Sequence, residues 1–334
     1  MLNTEQILSI LGEDRVFEIT NTLSDKKMNQ ETIIRVLDYL ALNKVAFPYI
    51  DNRKLGQKLC SNLNSNIVFN DLKNSILSMF KYKFYGYATG SKIVVNTKPF
   101  KFIFPKKQFN TMTDALIRHE LDHIATTNVK ILDKENFRHF LMNEAEQYQQ
   151  LFNIQLDKDI LTKDIEEAVH TRFYTPQRLN IPQPATAKIV SSGIDGRCDY
   201  FTARKKVGHT PLNEGITAWK MKKLDKIAGQ GGFFCQSGYM LEEAVAQEFI
   251  DNIGEETLIK LQSEGDFFEI TNLYKQKTGK SGKWLLAFFN KLSQNKPKSI
   301  TAKMIKQLKF SINPNIDKDM QSLYGENNTP LSNE

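Results

Sequence analysis

The stretch Ala115-Leu116-Ile117-Arg118-His119-Glu120-Leu121-Asp122-His123-Ile124-Ala125 constrains this chain more than any other. It contains His119-Glu120-x-x-His123, the HExxH arrangement. Positions four apart share one face of a helix, so both imidazoles can address a single ion. Glu120, one residue along, can reach a water in the ion's open position. Ala115, Leu116, Ile117, Leu121 and Ile124 are apolar at helical spacing, and Asn110 or Thr113 is placed to cap the start. Neutral imidazole suits zinc, and a catalytic zinc usually has three protein ligands and one open position. The competing account is a surface helix whose His and Glu are simply solvated. A third ligand downstream would separate the two.

The segment Pro211-Leu212-Asn213-Glu214-Gly215-Ile216-Thr217-Ala218-Trp219 offers one. It reads as the start of a helix running to about Ala228, capped by Asn213. Glu214 then falls in the first turn, where a carboxylate is favoured and directionally fixed. A carboxylate from a second helix would complete a His2Glu site, the set that leaves room for water. On spacing alone, ligand and ordinary N-terminal glutamate both stand. Glu242 and Glu243 are rivals, with Glu243 the alternative third ligand.

The rest of the chain sets the context. Its 334 residues can form one large domain or two smaller ones. The net charge of +7 is compatible with nucleic acid or anionic surfaces. The lysines are scattered, however, without an aromatic-interleaved basic motif, and read as solvated faces. Cys60, Cys198 and Cys235 are far apart and give neither a disulfide framework nor CxxC, which fits a reducing compartment. The N-terminus lacks a basic segment followed by an apolar one, so it is not a signal peptide. Apolar runs such as Trp284-Leu285-Leu286-Ala287-Phe288-Phe289 are too short to span a membrane. The expectation is a cytoplasmic protein, with signal-less export left open.

In chain order, residues 4–45 read as helices, punctuated at Gly12 and at Asn21–Asn29. Residues 55–80 read as helical with a break around Asn62–Asn66. Phe84–Thr89, a Gly90-Ser91 turn and Lys92–Asn96 read as a hairpin, and Lys101–Pro105 as a further short strand. An edge strand beside an HExxH helix can hold an extended peptide by strand addition. Amphipathic helices are expected near 134–152 and 158–173, followed by a loop around Pro176, Pro182 and Pro184. His139 and His170 have no partner at ligand spacing and read as surface or packing residues. Ile189–Ser192 and Tyr200–Arg204 suggest a second hairpin, and short basic helices are expected near 283–294 and 300–309.

His119-Glu120-x-x-His123 followed by Asn213-Glu214-x-x-Thr217 resembles the gluzincin, thermolysin-like zinc metallopeptidases. The chain is also similar to small bacterial zincin-type proteins, through Leu212–Thr217, Gly238-Tyr239, Glu243-Ala244-Val245, Ile253–Leu258 and Gly265-Asp266. The resemblance spans residues 84–270. It implies His119, His123 and Glu214 as ligands of one catalytic Zn2+ and Glu120 as general base. Glu120 would take a proton from the attacking water and pass it to the leaving amine. Tyr239 and His209, near Glu214 in sequence, are candidates for stabilising the oxyanion. Two departures stand out. Ala218 occupies a position that often carries an acidic partner for a ligand histidine. The interval from His123 to Glu214 is also long, at 91 positions.

The expected fold is α+β and mainly helical. A zincin-like domain over residues 81–270 carries a small antiparallel sheet before the HExxH helix and a helical insert at 127–187. A helical region (1–80) precedes it, and a basic helical part (271–310) and a polar, disordered tail (311–334) follow. The leading function is a zinc endopeptidase acting on a protein or peptide. The alternative is a non-catalytic zinc-binding protein that recognises a protein or nucleic-acid partner. Glu120 favours the enzyme, because a closed structural site needs no base. The sequence leaves the oligomeric state open.

Overall fold

The computed structural model describes residues 1–76, 86–89, 92–102, 104–174, 183–194, 210–230 and 240–294. Within them the chain forms two units, Met1–Thr127 with Glu214–Gln247, and Asn128–Asn213 with Glu248–Glu334. Two of the three boundaries fall inside helices, Thr210–Ile227 and Met240–Ile253, and the third inside the strand Thr127–Leu132. The architecture is mainly helical with two small sheets. No helix among the described residues is long and apolar enough to cross a membrane.

The first unit opens with α1 (Thr4–Leu11), α2 (Glu13–Asp25), α3 (Gln30–Ala46) and α4 (Asn52–Asn62). Asn3, Asn29 and Asp51 cap α1, α3 and α4 through side-chain oxygens that accept the first free backbone N–H groups. Between α1 and α2, Gly12 takes a φ of 88°, a left-handed turn that a side chain resists. The sheet that follows is mixed. β1 (Val68–Phe69) runs parallel to β3 (Lys92–Val95), and β2 (Gly86–Thr89) pairs antiparallel with β3. The expected hairpin is thus present between β2 and β3, with Thr89 opposite Lys92. Its turn residues Gly90 and Ser91, and Phe84 and Tyr85, lie outside the described residues.

Three expectations are corrected here. The sheet is not purely antiparallel, because Val68 and Phe69, expected within a helical stretch, form a strand. Their β-branched and aromatic side chains favour the pleat, and Asn70 extends the pairing by donating to the Val95 carbonyl at 3.0 Å. The expected strand at Lys101–Pro105 is instead a 3-10 helix, Lys98–Phe102. Pro99 fixes φ and cannot donate to a sheet ladder, and the Phe100 N–H turns back to Thr97. Finally, the HExxH helix α5 (Lys106–Ala125) begins behind Pro105 without a side-chain cap. Asn110 and Thr113 therefore lie inside it, and Thr113 is held by Thr97 at 3.3 Å.

α5 is the axis of this unit. Leu116, Ile117, Leu121, Ile124 and Ala125 enter one core with residues of α1 to α4, β3 and the later helix α8 (Thr210–Ile227). Its last turn is tightly finished. The Thr126 and Thr127 hydroxyls donate to the Asp122 and His123 carbonyls at 2.8 and 2.7 Å. The Asn62 amide donates to the Ile124 carbonyl. These contacts satisfy carbonyls that a helix end otherwise leaves bare.

The second unit contains β4 (Thr127–Leu132), α6 (Lys134–Phe152), α7 (Lys158–Phe173) and β5 (Ala187–Ser192), with β4 and β5 paired. β5 was expected to pair with Tyr200–Arg204, which lie outside the described residues. Later come the end of α9 (Met240–Ile253), α10 (Glu255–Glu264), α11 (Phe267–Thr278) and α12 (Gly282–Gln294). Asp133, Asp157 and Asp266 cap α6, α7 and α11. Phe137, Leu141, Ile165, Val169 and Phe173 pack with Ala187 and Ile189 in one small core. Residues 300–309 and the tail lie outside the described residues.

Candidate metal centre

Two helices build the site. α5 presents His119 and His123 one turn apart, their rings edge to face with centroids 4.8 Å apart. α8 brings Glu214 against both. His119 Nε2 lies 2.9 Å from Glu214 Oε2, His123 Nε2 lies 3.3 Å from Glu214 Oε1, and the two Nε2 atoms are 3.1 Å apart. In a tetrahedral zinc site with bonds of about 2.0–2.2 Å, neighbouring ligand atoms sit roughly 3.3 Å apart. Two imidazole nitrogens and a carboxylate are also the donor types zinc prefers. Spacing and chemistry therefore both fit one metal ion, and these three residues form a group that can hold it. Side-chain exposure rises from 6% at His119 through 11% at His123 to 21% at Glu214, so one side of the group meets solvent.

The electrostatics are those of a tightly coupled cluster. Burial opposes the charged form of His123, but the Glu214, Glu120 and Asp122 carboxylates outweigh it and raise the imidazole to about 10. Burial likewise opposes ionisation of Glu214, yet His123 and His119 hold its carboxyl far below the usual range. Glu120 behaves differently. Burial raises its pKa, and Glu214 adds to this, against the lowering effect of His119, His123 and a hydrogen bond from the Ala88 backbone N–H. That N–H belongs to β2, the edge of its sheet among the described residues. A buried carboxyl with a raised pKa beside two imidazoles is suited to moving protons.

Beside Glu214, a row of side-chain pairs links α5 to α8 and to Gln230 just beyond it. Asp114, Arg118 and Asp122 recur every four residues on α5, one row round from the histidines. Gln230 donates to Asp114 at 3.1 Å, and Arg118 donates to Asp225 at 2.8 Å. Lys220 pairs with Asp122, and the Thr217 hydroxyl donates to the same carboxylate at 3.2 Å. Contacts rising along α5 thus meet residues descending from Gln230, just beyond α8, to Asp225, Lys220 and Thr217 within it, and Glu214 closes the series on the histidines. α3 supports the row, as Tyr39 donates to Asp122 at 2.7 Å and Arg118 donates to Asp38 at 3.0 Å.

Gly215 fixes the other side of Glu214. A Cβ there would lie 2.1 Å from the Glu242 carbonyl oxygen, so only glycine lets α8 approach the backbone of α9. Glu242 is itself buried, and burial raises its pKa, with the Glu214 carboxylate adding to the effect.

Of the sequence candidates, the structure brings together His119, His123, Glu214 and Glu120. It does not bring in Glu243, the alternative third ligand, which is paired with Lys222 on α8 at 2.5 Å. Tyr239 and His209 lie outside the described residues. His139 is largely exposed beside Glu135, and His170 stacks on Tyr174. One local expectation is corrected. α8 already begins at Thr210, so Asn213 does not cap it and Glu214 is not in its first turn. Asn213 instead accepts from the Gln262 side chain at 3.2 Å and sits where a Cβ on Gly193 would fall.

The supporting row was missed in the sequence, where Ala218 had left the partner of the ligand histidines open. Its signal was Asp114, Arg118 and Asp122 at helical spacing among the apolar residues Ala115, Leu116, Ile117 and Leu121. Compared with protein-family models, curated proteins and solved structures, the chain matches none.

Proposed function

We propose that this protein is a zinc-dependent hydrolase of the metallopeptidase type, cleaving peptide bonds in a protein or peptide. The observation that carries the reading is the triangle of His119 Nε2, His123 Nε2 and the Glu214 carboxylate, with edges of 2.9, 3.1 and 3.3 Å and buried Glu120 beside it. When bound, zinc supplies Lewis acidity that polarises a carbonyl and acidifies water. His119, His123 and Glu214 would hold the ion, a set of three ligands that would leave room for substrate or water. Glu120, with its raised pKa, accepts the proton of the attacking water and delivers it to the departing amine. The Ala88 N–H keeps the Glu120 carboxylate oriented. As an edge strand among the described residues, β2 offers backbone groups to which an extended peptide can add.

The test is hydrolysis of a diverse peptide library by the zinc-loaded protein and by Glu120→Gln. Removing a general base costs about 100-fold or more in rate, so the variant is expected to be nearly silent while still binding zinc. Equal turnover by both proteins would remove Glu120 from the mechanism. Zinc binding with no hydrolysis by either would favour the non-catalytic alternative.

A further inference from the structure

We infer that Lys220 is a positioning residue for the metal centre, setting the axial register of α8 through Asp122 and thereby placing Glu214. The inference rests on the zinc reading above and concerns how the third ligand is held. Lys220 is only 2% exposed, and its ammonium is spent on the Asp122 carboxylate, which is fully buried. A buried ammonium is costly unless paired, so this contact tolerates little sliding. Asp122 directly precedes His123, and Lys220 lies six residues beyond Glu214. Slippage of α8 along α5 would therefore break the ion pair and withdraw the Glu214 carboxylate from both imidazoles together. Thr217 and Tyr39 occupy the same carboxylate, so Asp122 joins α3, α5 and α8 at one point. The next pair, Arg118 with Asp225, has the opposite polarity, with the cation on α5. Reversed neighbouring pairs oppose a slip, because a shifted α8 would face Lys220 toward Arg118 rather than Asp122.

The experiment compares the full-length wild type with Lys220→Met, Lys220→Arg and Lys220→Gln. The readouts are zinc affinity by chelator competition, the visible absorption of the cobalt(II)-loaded protein, and circular dichroism of the metal-free protein. Lys220→Met is expected to keep its helical signal, lose about 10–100-fold in zinc affinity and lose the intense cobalt bands of a four-coordinate site. Lys220→Arg keeps a cation for Asp122 and is expected to recover much of both. Lys220→Gln, which can still hydrogen-bond Asp122 but removes the charge, is expected to shift affinity in the same direction by less, and decides the matter if Lys220→Met does not fold. Wild-type affinity and an unchanged cobalt spectrum in folded Lys220→Met, or in Lys220→Gln should Lys220→Met not fold, would overturn the positioning role. A wild-type protein that takes up neither ion would overturn the metal reading, and this role with it.

Discussion

The two units bury different things. In the first, Asp38, Arg118, Asp122, Lys220 and Asp225 are all 2% exposed or less, threaded through an aliphatic core. In the second, the largest fully buried side chains are aromatic. Phe249 stacks on Tyr274 at 4.3 Å, Phe267 meets Phe289 edge to face at 5.2 Å, and Trp284 stacks on Phe288 at 5.4 Å. Apolar burial is non-directional and holds elements together without fixing their register closely. Buried ion pairs contribute little net stability, but each has one good geometry. The unit that carries the candidate metal centre is the one with buried ion pairs among the described residues, and most of them lie on the two helices that carry His119, His123 and Glu214.

A matched pair of truncations probes this difference most strongly. Arg118→Ala would strand Asp38 and Asp225 in the core and is expected to cost about 3–5 kcal/mol. Phe267→Ala, in the aromatic core, is expected to cost a similar amount, about 3–5 kcal/mol, through a cavity. Denaturant titrations give both numbers, and zinc affinity separates them. Arg118→Ala is expected to weaken binding tenfold or more, as loss of a supporting contact to a metal site does. Folded Phe267→Ala is expected to bind as the wild type does.

The pH dependence sharpens the comparison next. Burial, only partly offset by Arg118, raises Asp225 from its ordinary 3.8 to about 6. The folded chain therefore binds a proton between these values that the unfolded chain releases. This group's contribution makes stability rise as pH falls from 7 through 6 towards 4, and lowers it again as pH climbs back. The swing is on the order of 1–3 kcal/mol. Denaturation midpoints measured across this range should show the slope in the wild type and lose it in Asp225→Asn.

Gly215→Ala places a methyl against the Glu242 carbonyl and must push the two helices apart. An overpacked contact of this kind costs about 1–3 kcal/mol, and zinc affinity should fall with the displaced Glu214. Thermal unfolding and chelator competition check the two effects. The smallest effect is expected at His139, which is 64% exposed beside Glu135. His139→Ala should change stability by less than about 0.5 kcal/mol and leave metal binding intact, as calorimetry can establish.

How much of this was legible in the sequence follows from the same physics. α5, α6 and α7 repeat apolar residues at helical spacing over many turns, and their existence could be read directly. Val68 and Phe69 could not, since a two-residue strand is specified by its partner β3 and not by periodicity. The start of α5 was misplaced because Asn110 and Thr113 are good caps in isolation, whereas Pro105 and the fold set the true end. At the site, HExxH announced two candidate ligands by local spacing alone. Glu214, 91 positions later, was one of several glutamates until the fold paired Glu243 with Lys222 and brought Glu214 to the histidines. The charged row of α5 was visible as a pattern, but its partners on α3 and α8 are about 80 to 110 positions away, a separation that spacing rules do not reach.

The most direct test of the account is the metal content of the purified protein, measured by elemental analysis after zinc reconstitution and desalting. One equivalent of zinc in the wild type and in Glu243→Ala, with none retained by His123→Ala or Glu214→Ala, is the predicted result. A wild-type protein that retains no zinc, or a Glu214→Ala variant that retains a full equivalent, would contradict it.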